Sequence, residues 1–532
     1  SNKRDKFFLW QWLQTMSFLT SRSVSLTAAA SSGMWLQFVR DARCDESKPN
    51  AVPLKSTAEK SNMLLRRRLT PVGRLALLSE TVAQPSISVA VIRVGGASLE
   101  KNELGRKLDS VFCAASTRFK SRVVKRCEFV EIEKFNAIDM VREENCELTE
   151  TEVAKRLTIP FASDLPYWDC TIFSHNTLLL RVHHCLADGV SMASLFGEAT
   201  DQAQEIRDFV ATEIKRKLTK KKSKHSTVKR FIRILMRILL SVAQLGVVFI
   251  SLVRAWLCTS RPLSGRVKGL SGRSVTWASD VASVDELRRA AKRLGISVND
   301  LFATAVARGL AICDPTFFGV SLVAAAFPIH LFGGVPIPRL RVGNHIGAVL
   351  LPLPLGTLSN ENNILQDPVT HCHRVSSDVG NTLRGGLAAI VSYALANIIG
   401  MLPSSLLSSA MHASASCATI ACTNIRGPQI DNLSICGRPI LDIVCIMPPP
   451  PGVAVGVALS TLKGQATISV NSDADALSAH ALLDSIVASL RDISLSAESH
   501  SSDDKIKQKM MVDLESSLLP VLPENSGHSG GA

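Results

Sequence analysis

The chain has 532 residues, 46% of them apolar and 20% charged, with a mean hydropathy of +0.18. It is too long for one ordinary core and too apolar for a disordered chain, so two domains are the expectation. The 31 glycines and 23 prolines exclude a collagen-like or low-complexity chain, and 5% aromatic residues exclude a dense stacking surface for single-stranded nucleic acid.

The formal charge of +14 is concentrated in two places: residues 1–80 carry a net +7 and residues 201–270 a net +12, which leaves the rest mildly acidic. A basic block beside an apolar run on an otherwise ordinary body points to the anionic face of a membrane more than to a nucleic-acid groove. The 13 cysteines are scattered singly with no CxxC pair, which favours a reducing compartment. His371-Cys372-His373 is the nearest approach to a metal cluster and reads as a chance juxtaposition, so no metal site is expected.

Along the chain, residues 1–65 form an extension whose start, SNKRDKFFLWQWLQTMSFL, joins positive charge to a short apolar run. That pattern suits a targeting segment, an interfacial anchor, or sequence upstream of the true start. From Leu69-Thr70-Pro71 the pattern becomes globular. Residues 86–96 read as a β-branched strand, 99–114 as a helix with Leu104, Leu108, Val111 and Phe112 on one side, and 122–132 as a further strand. TLLLRVHH at 177–184 is the next strong strand, followed by a turn and one long helix from about Ser191.

Residues 211–270 then read as a linker. Its segment 215–230 holds nine Lys and Arg and no acid, and the uncharged run 238–253 is 16 residues, short of the about 20 needed to span a bilayer unless Arg237 and Arg254 snorkel. Membrane insertion and a buried helix both remain open for that run. The basic neighbour favours membrane contact for the stretch from Lys215 to Val253, because a core helix gains nothing from flanking positive charge. A second half, 271–495, repeats strands and packed helices: helices at 284–295 and 297–314, apolar strand-like segments at 321–331 and 347–356, and near the end the segments 416–429, 445–461 and 464–477. Residues 496–532 form a polar tail.

His183-His184-Cys185-Leu186-Ala187-Asp188-Gly189 is the most informative stretch. Adjacent side chains on a strand point to opposite faces, so only one of the two histidines can enter a given cavity while the other braces the fold. A neutral imidazole can take a proton from an alcohol at cellular pH, the requirement for general-base acyl transfer. Asp188 most simply caps the following helix or holds the loop by a buried ion pair, and Gly189 supplies the backbone freedom that launches that helix.

HHCLADG resembles the HHxxxDG signature of the CoA-dependent acyltransferase superfamily, and more narrowly of the wax ester synthase/diacylglycerol acyltransferase family. Pro166-Tyr167-Trp168 is similar to that family's PLW element, and Asn299-Asp300 to its ND motif. GNHIGAVLLPLPLG at 343–356 resembles its second-half strand, Thr423-Asn424-Ile425-Arg426-Gly427-Pro428 its S-N-V-x-G-P turn, and LTPVGRLALL its plant-type domain start. The resemblance runs from about Leu69 to Leu490.

The resemblance implies an α/β (α+β layered) fold of two chloramphenicol-acetyltransferase-like domains, residues 66–210 and 271–495, with a tunnel between them. It implies transfer of a fatty acyl group from acyl-CoA, a co-substrate and not a bound cofactor, to a fatty alcohol or diacylglycerol. His184 becomes the general base, His183 a brace, Asp188 and Gly189 structural supports, and Asn299 and Asp300 part of the far wall. An endoplasmic-reticulum membrane with the active site facing the cytosol is expected by resemblance to plant-type members. The alternatives are an inactive lipid-binding scaffold of the same fold and an acyltransferase for a non-lipid alcohol; no nucleic-acid partner is expected. A late DFGWG segment, expected of the plant HxxxD alcohol acyltransferases, is replaced here by PPPPG.

Overall fold

The computed structural model describes residues 65–518 apart from 220–245, 332–341, 357–364 and scattered positions within 258–270, at 385 and at 416. The N-terminal extension, most of the basic run and the end of the polar tail lie outside the described residues.

The first half runs β1 (Arg66–Arg68), α1 (Pro71–Ser79), β2 (Ile87–Val94), α2 (Lys101–Leu108), β3 (Ser121–Val124), β4 (Glu128–Glu131) and β5 (Val141–Glu143). It continues with α3 (Glu150–Thr158), β6 (Trp168–Phe173), β7 (Thr177–His183), α4 (Gly189–Ala199) and α5 (Ala203–Thr219). A short apolar helix, α6 (Gly246–Leu257), follows. The second half begins β8 (Arg273–Ser283), α7 (Val284–Arg293), α8 (Val298–Cys313), β9 (Leu322–His330), β10 (Ile346–Pro354), α9 (Pro368–Val375), α10 (Gly386–Met401) and α11 (Ser404–Ala415). It ends β11 (Ile420–Arg426), β12 (Ser434–Ile435), β13 (Arg438–Ile446), β14 (Val455–Leu462), β15 (Gln465–Asp473) and α12 (Ala479–Leu518).

Two six-stranded sheets organise the halves. The second is ordered β10-β9-β11-β14-β15-β8 and is built wholly from the second half. The first is ordered β12-β13-β2-β7-β6-β5, so its first two strands are supplied by the second half. β13 pairs antiparallel with β2 from Ile446↔Val89 to Ile440↔Val94, which stitches the halves together by backbone hydrogen bonds.

The central strand β7 is buried on both faces, which is why its sequence is a nearly continuous apolar run. Leu178, Leu180 and Val182 enter a core with Phe112 and Trp168, while Leu179 faces Ile87, Val89, Val91, Val275 and Val444 in the seam between the halves. The odd-numbered face also carries Arg181, whose guanidinium grips Asp169 at 2.8 and 2.5 Å and the carbonyls of Arg156 and Ile159. That fork ties β6, β7 and α3 into one block. A cavity of about 360 Å3 opens in the seam at the end of β2 and β7 away from His183, lined by Val91, Arg93, Thr177, Trp277, Asp442 and Val444 among others.

Two sequence expectations change. The strand expected over 122–132 is a hairpin, because Lys125 and Arg126 both take positive φ and turn the chain back to pair β3 with β4. The single long helix expected from Ser191 starts at Gly189 and breaks after Ala199, where Thr200 closes α4 by donating to the Gly197 carbonyl and takes an extended conformation.

Candidate active site

β7 ends at His183, and the two histidines separate as the period of a strand requires. His183 is 2% exposed. Its Nε2 lies 2.9 Å from Glu80 Oε2, and its Nδ1 accepts the Cys185 N–H at 3.0 Å. Burial disfavours an imidazolium there and Cys185 and Glu80 favour one, a net push upward to about 10 that the hydrogen-bond geometry at Nδ1 opposes. The Cys185 amide needs a lone pair on Nδ1, so the ring carries its proton on Nε2 and donates it to Glu80. Glu80 is pushed up by burial, but His183, the Ser86 amide and Arg126 outweigh that and hold it below the ordinary carboxylate range. Both ring nitrogens of His183 are thus occupied in bracing the strand to the end of α1.

His184 differs in every respect. It is half-buried, and no ring hydrogen bond joins it to the described residues. Burial, opposed by the Asp188 carboxylate, pushes its imidazole down to about 4. It is neutral at cellular pH, with a nitrogen lone pair free to accept a proton.

The loop that follows is held from both halves. Leu186 N–H donates to the His183 carbonyl, and Arg118 Nη1 donates to the Leu186 carbonyl at 2.9 Å. Asp188 caps α4 by accepting the Ser191 N–H at 2.7 Å on Oδ1, and its Oδ2 accepts the His345 N–H at 2.6 Å, with His330 Nε2 3.7 Å away. The expected cap is therefore present, joined by a tie to the second half that the sequence pattern did not reveal. Gly189 opens α4 without a positive φ, and a Cβ there would make ordinary contact with Ile425 Cδ1. The expected backbone role of Gly189 is corrected on that ground.

From the second half, Asn299 and Asp300 open α8 and divide the work. Asp300 is buried and closes a reciprocal cap with Ser297 while accepting from Ser376 Oγ at 3.0 Å. Asn299 is exposed and accepts from Asn424 Nδ2 on β11 at 2.7 Å. Asn424 Oδ1 is buried without a hydrogen-bond partner among the described residues. Gly427, in the turn after β11, lies so close to β14 that a Cβ would meet the Thr461 carbonyl at 2.0 Å. His371 turns instead to the Pro354 carbonyl at 2.9 Å, away from all of these groups.

The model of the wax ester synthase/diacylglycerol acyltransferase catalytic domain matches residues 173–302, and that of the WS/DGAT C-terminal domain matches residues 342–494. Together they take in more than half of the chain. The chain belongs to the wax ester synthase/diacylglycerol acyltransferase family. It is similar to wax ester synthase/diacylglycerol acyltransferase 5 of Arabidopsis thaliana, with 23% identity over 398 residues that cover 66% of this chain and 76% of that one. Among solved structures, the TRI3 trichothecene 15-O-acetyltransferase of Fusarium sporotrichioides superposes with a TM-score of 0.53 at 12% identity, covering 85% of this chain and 100% of that one. The condensation domain of the monacolin K polyketide synthase MokA gives 0.50 at 12% identity over 82% and 98%.

The fold is therefore the chloramphenicol-acetyltransferase-like pair of domains expected from the sequence. As a member of the wax ester synthase/diacylglycerol acyltransferase family, this chain is an acyl-CoA-dependent O-acyltransferase. In that family setting the residues missed by sequence reasoning are the partners of the motif: Glu80, Arg118, His330, Asn344 and His345. Glu80 is 103 positions from His183 and Asn344 is 160 from His184. Neither carries a local periodic signal, and only the resemblance of the 343–356 strand pointed to that part of the chain.

Proposed function

We propose that this enzyme transfers a fatty acyl group from acyl-CoA to the hydroxyl of a lipid, either a long-chain fatty alcohol, giving a wax ester, or diacylglycerol, giving triacylglycerol. His184 is the general base. The observation that carries the reading is the contrast within the HH pair: His183 has both nitrogens engaged, whereas His184 stays neutral and unengaged at the strand end where the halves meet. In the reaction His184 takes the hydroxyl proton as the alcohol oxygen attacks the thioester carbonyl. The tetrahedral oxyanion then collapses, the C–S bond breaks, and the CoA sulfur leaves with the proton returned by His184. No covalent enzyme intermediate is needed. General-base assistance supplies about 10²–10⁴-fold, and the remainder comes from holding thioester and alcohol together. Asn299 and Asn424 form a polar wall on the second-half side.

Membrane contact belongs to the same reading, because both substrates carry long apolar chains. Among the described residues no single helix is long and apolar enough to cross a bilayer. α6 nevertheless exposes Val247, Phe249, Ile250 and Leu257 while burying Val248 and Ala255. Such a half-docked apolar helix, with nine basic residues earlier in the sequence at 215–230, supports interfacial binding to an anionic surface; the cytosolic face of the endoplasmic reticulum is the membrane proposed, by resemblance to plant-type members.

The deciding experiment incubates purified protein with radiolabelled acyl-CoA and, separately, hexadecanol and diacylglycerol, followed by thin-layer chromatography. A labelled wax ester or triacylglycerol is expected. Label in neither product, with turnover of a small water-soluble alcohol instead, would overturn the lipid-acceptor reading.

A further inference from the structure

The loop carrying His184 has one backbone group whose partner comes from the other half of the chain and whose release would move the imidazole directly. The His184 N–H is secured by the Ser86 carbonyl, the Cys185 N–H by His183, and the Leu186 carbonyl by Arg118, all within the first half. The His184 carbonyl instead accepts Asn344 Nδ2 at 2.8 Å. Asn344 is 4% exposed. It sits in residues 342–345, a stretch that grips the same loop three more times. Asp188 N–H and Ser191 Oγ both donate to the Gly343 carbonyl, at 3.0 and 2.9 Å, and the His345 N–H donates to Asp188 at 2.6 Å.

The approach is close enough to dictate a third segment. A Cβ on Gly73 of α1 would fall 2.8 Å from the Cys185 carbonyl and 3.3 Å from Asn344 Nδ2. Glycine there is what lets α1, the catalytic loop and residues 342–345 converge.

We infer that Asn344 is a positioning residue for acyl transfer: by holding the His184 carbonyl it fixes the peptide plane from which the base projects, so that the base is aimed only when the second half is docked. The inference rests on His184 being the base. A buried carbonyl that loses its donor rotates toward another partner or toward water, and rotation of the 184–185 peptide carries with it the imidazole that projects from residue 184. Misplacement of the base costs reaction rate and spares any binding that does not pass through the imidazole.

The test compares wild type, Asn344→Ala and Asn344→Asp, the last nearly isosteric but without the amide donor, with His184→Ala as the reference for loss of the base. kcat is measured per folded molecule from the thermal-melt amplitude, and KM for both substrates. Both Asn344 variants are expected to lose about 10- to 100-fold in kcat, with KM within about twofold of wild type. Wild-type kcat per folded molecule in either variant, beside an inactive His184→Ala, overturns the positioning role alone. A fully active His184→Ala overturns the assignment of the base itself. A loss confined to the folded fraction, or carried by KM, shows that Asn344 is structural or contacts substrate, and refutes the inference.

Discussion

Two adjacent histidines of one residue type are separated by environment into a brace and a base, and three measurements probe the division. His184→Ala should lower turnover by about 10²–10⁴-fold with the melting temperature nearly unchanged, because the ring makes no hydrogen bond to the described residues. His183→Ala should do the reverse: it strips Glu80 and the Cys185 amide of a buried partner, at a cost of about 1–3 kcal/mol in stability, while folded molecules keep turning over. Equal losses of turnover in both variants, at equal stability, would contradict the division. The pH profile checks the same point, since burial holds His184 down at about 4 where an ordinary histidine sits at 6.5. The acid limb of kcat/KM should therefore fall well below about 6.5, with the base still neutral at pH 5. The unfolded chain binds the extra proton throughout that window and the folded chain does not, so stability drops as pH falls from 6.5 toward 4. A limb centred near 6.5 would mean that water reaches the ring freely. The HHxxxDG residues were legible in the sequence because the motif is contiguous and a strand period separates its two histidines. Glu80 and Asn344 were not, since a hydrogen bond across a hundred or more positions leaves no trace in spacing.

Element by element, the strands were easier to read than the helices of the second half. β2, β7, β9 and β10 announce themselves as β-branched or apolar runs bounded by turns, and α7 and α8 by Ser-x-x-acid caps that the structure closes reciprocally. α10 and α11 went unread because their apolar residues are spread around the helix and give no single stripe. α6 is the informative intermediate. One face buries Val248, Ser251 and Ala255, with Ser251 near Thr382 and Arg254 paired to Asp378, while Ile250 is 58% exposed on the other. Ile250→Glu should therefore leave the melting temperature within about a degree of wild type, as expected for a surface site. If that face enters a lipid interface, the same substitution should weaken flotation with anionic liposomes by about tenfold, the worth of one buried isoleucine side chain. Undiminished flotation would remove α6 from the membrane-binding surface.

For the whole molecule, the interlacing of the two halves is not legible in the sequence. Residues 438–446 were not read as a strand at all, and the structure makes them β13, paired beside β2 of the first half. The first half is consequently incomplete by itself. Expressed alone, residues 65–219 would present β2 as a bare edge and expose the Val89 and Val91 row that Val444 and Ile446 otherwise cover. That fragment should aggregate more than the full chain under the same conditions; a soluble, cooperatively melting fragment would show that β13 is dispensable.

The same crossover sets a timetable for synthesis. His183 leaves the ribosome about 260 residues before Ile446, and at about 5–20 residues per second the strand next to the catalytic motif waits roughly 15 to 50 seconds for its outer neighbour. During that interval an apolar sheet edge is open to any other nascent chain. A chaperone that covers the early half during that wait should therefore raise the yield of folded enzyme.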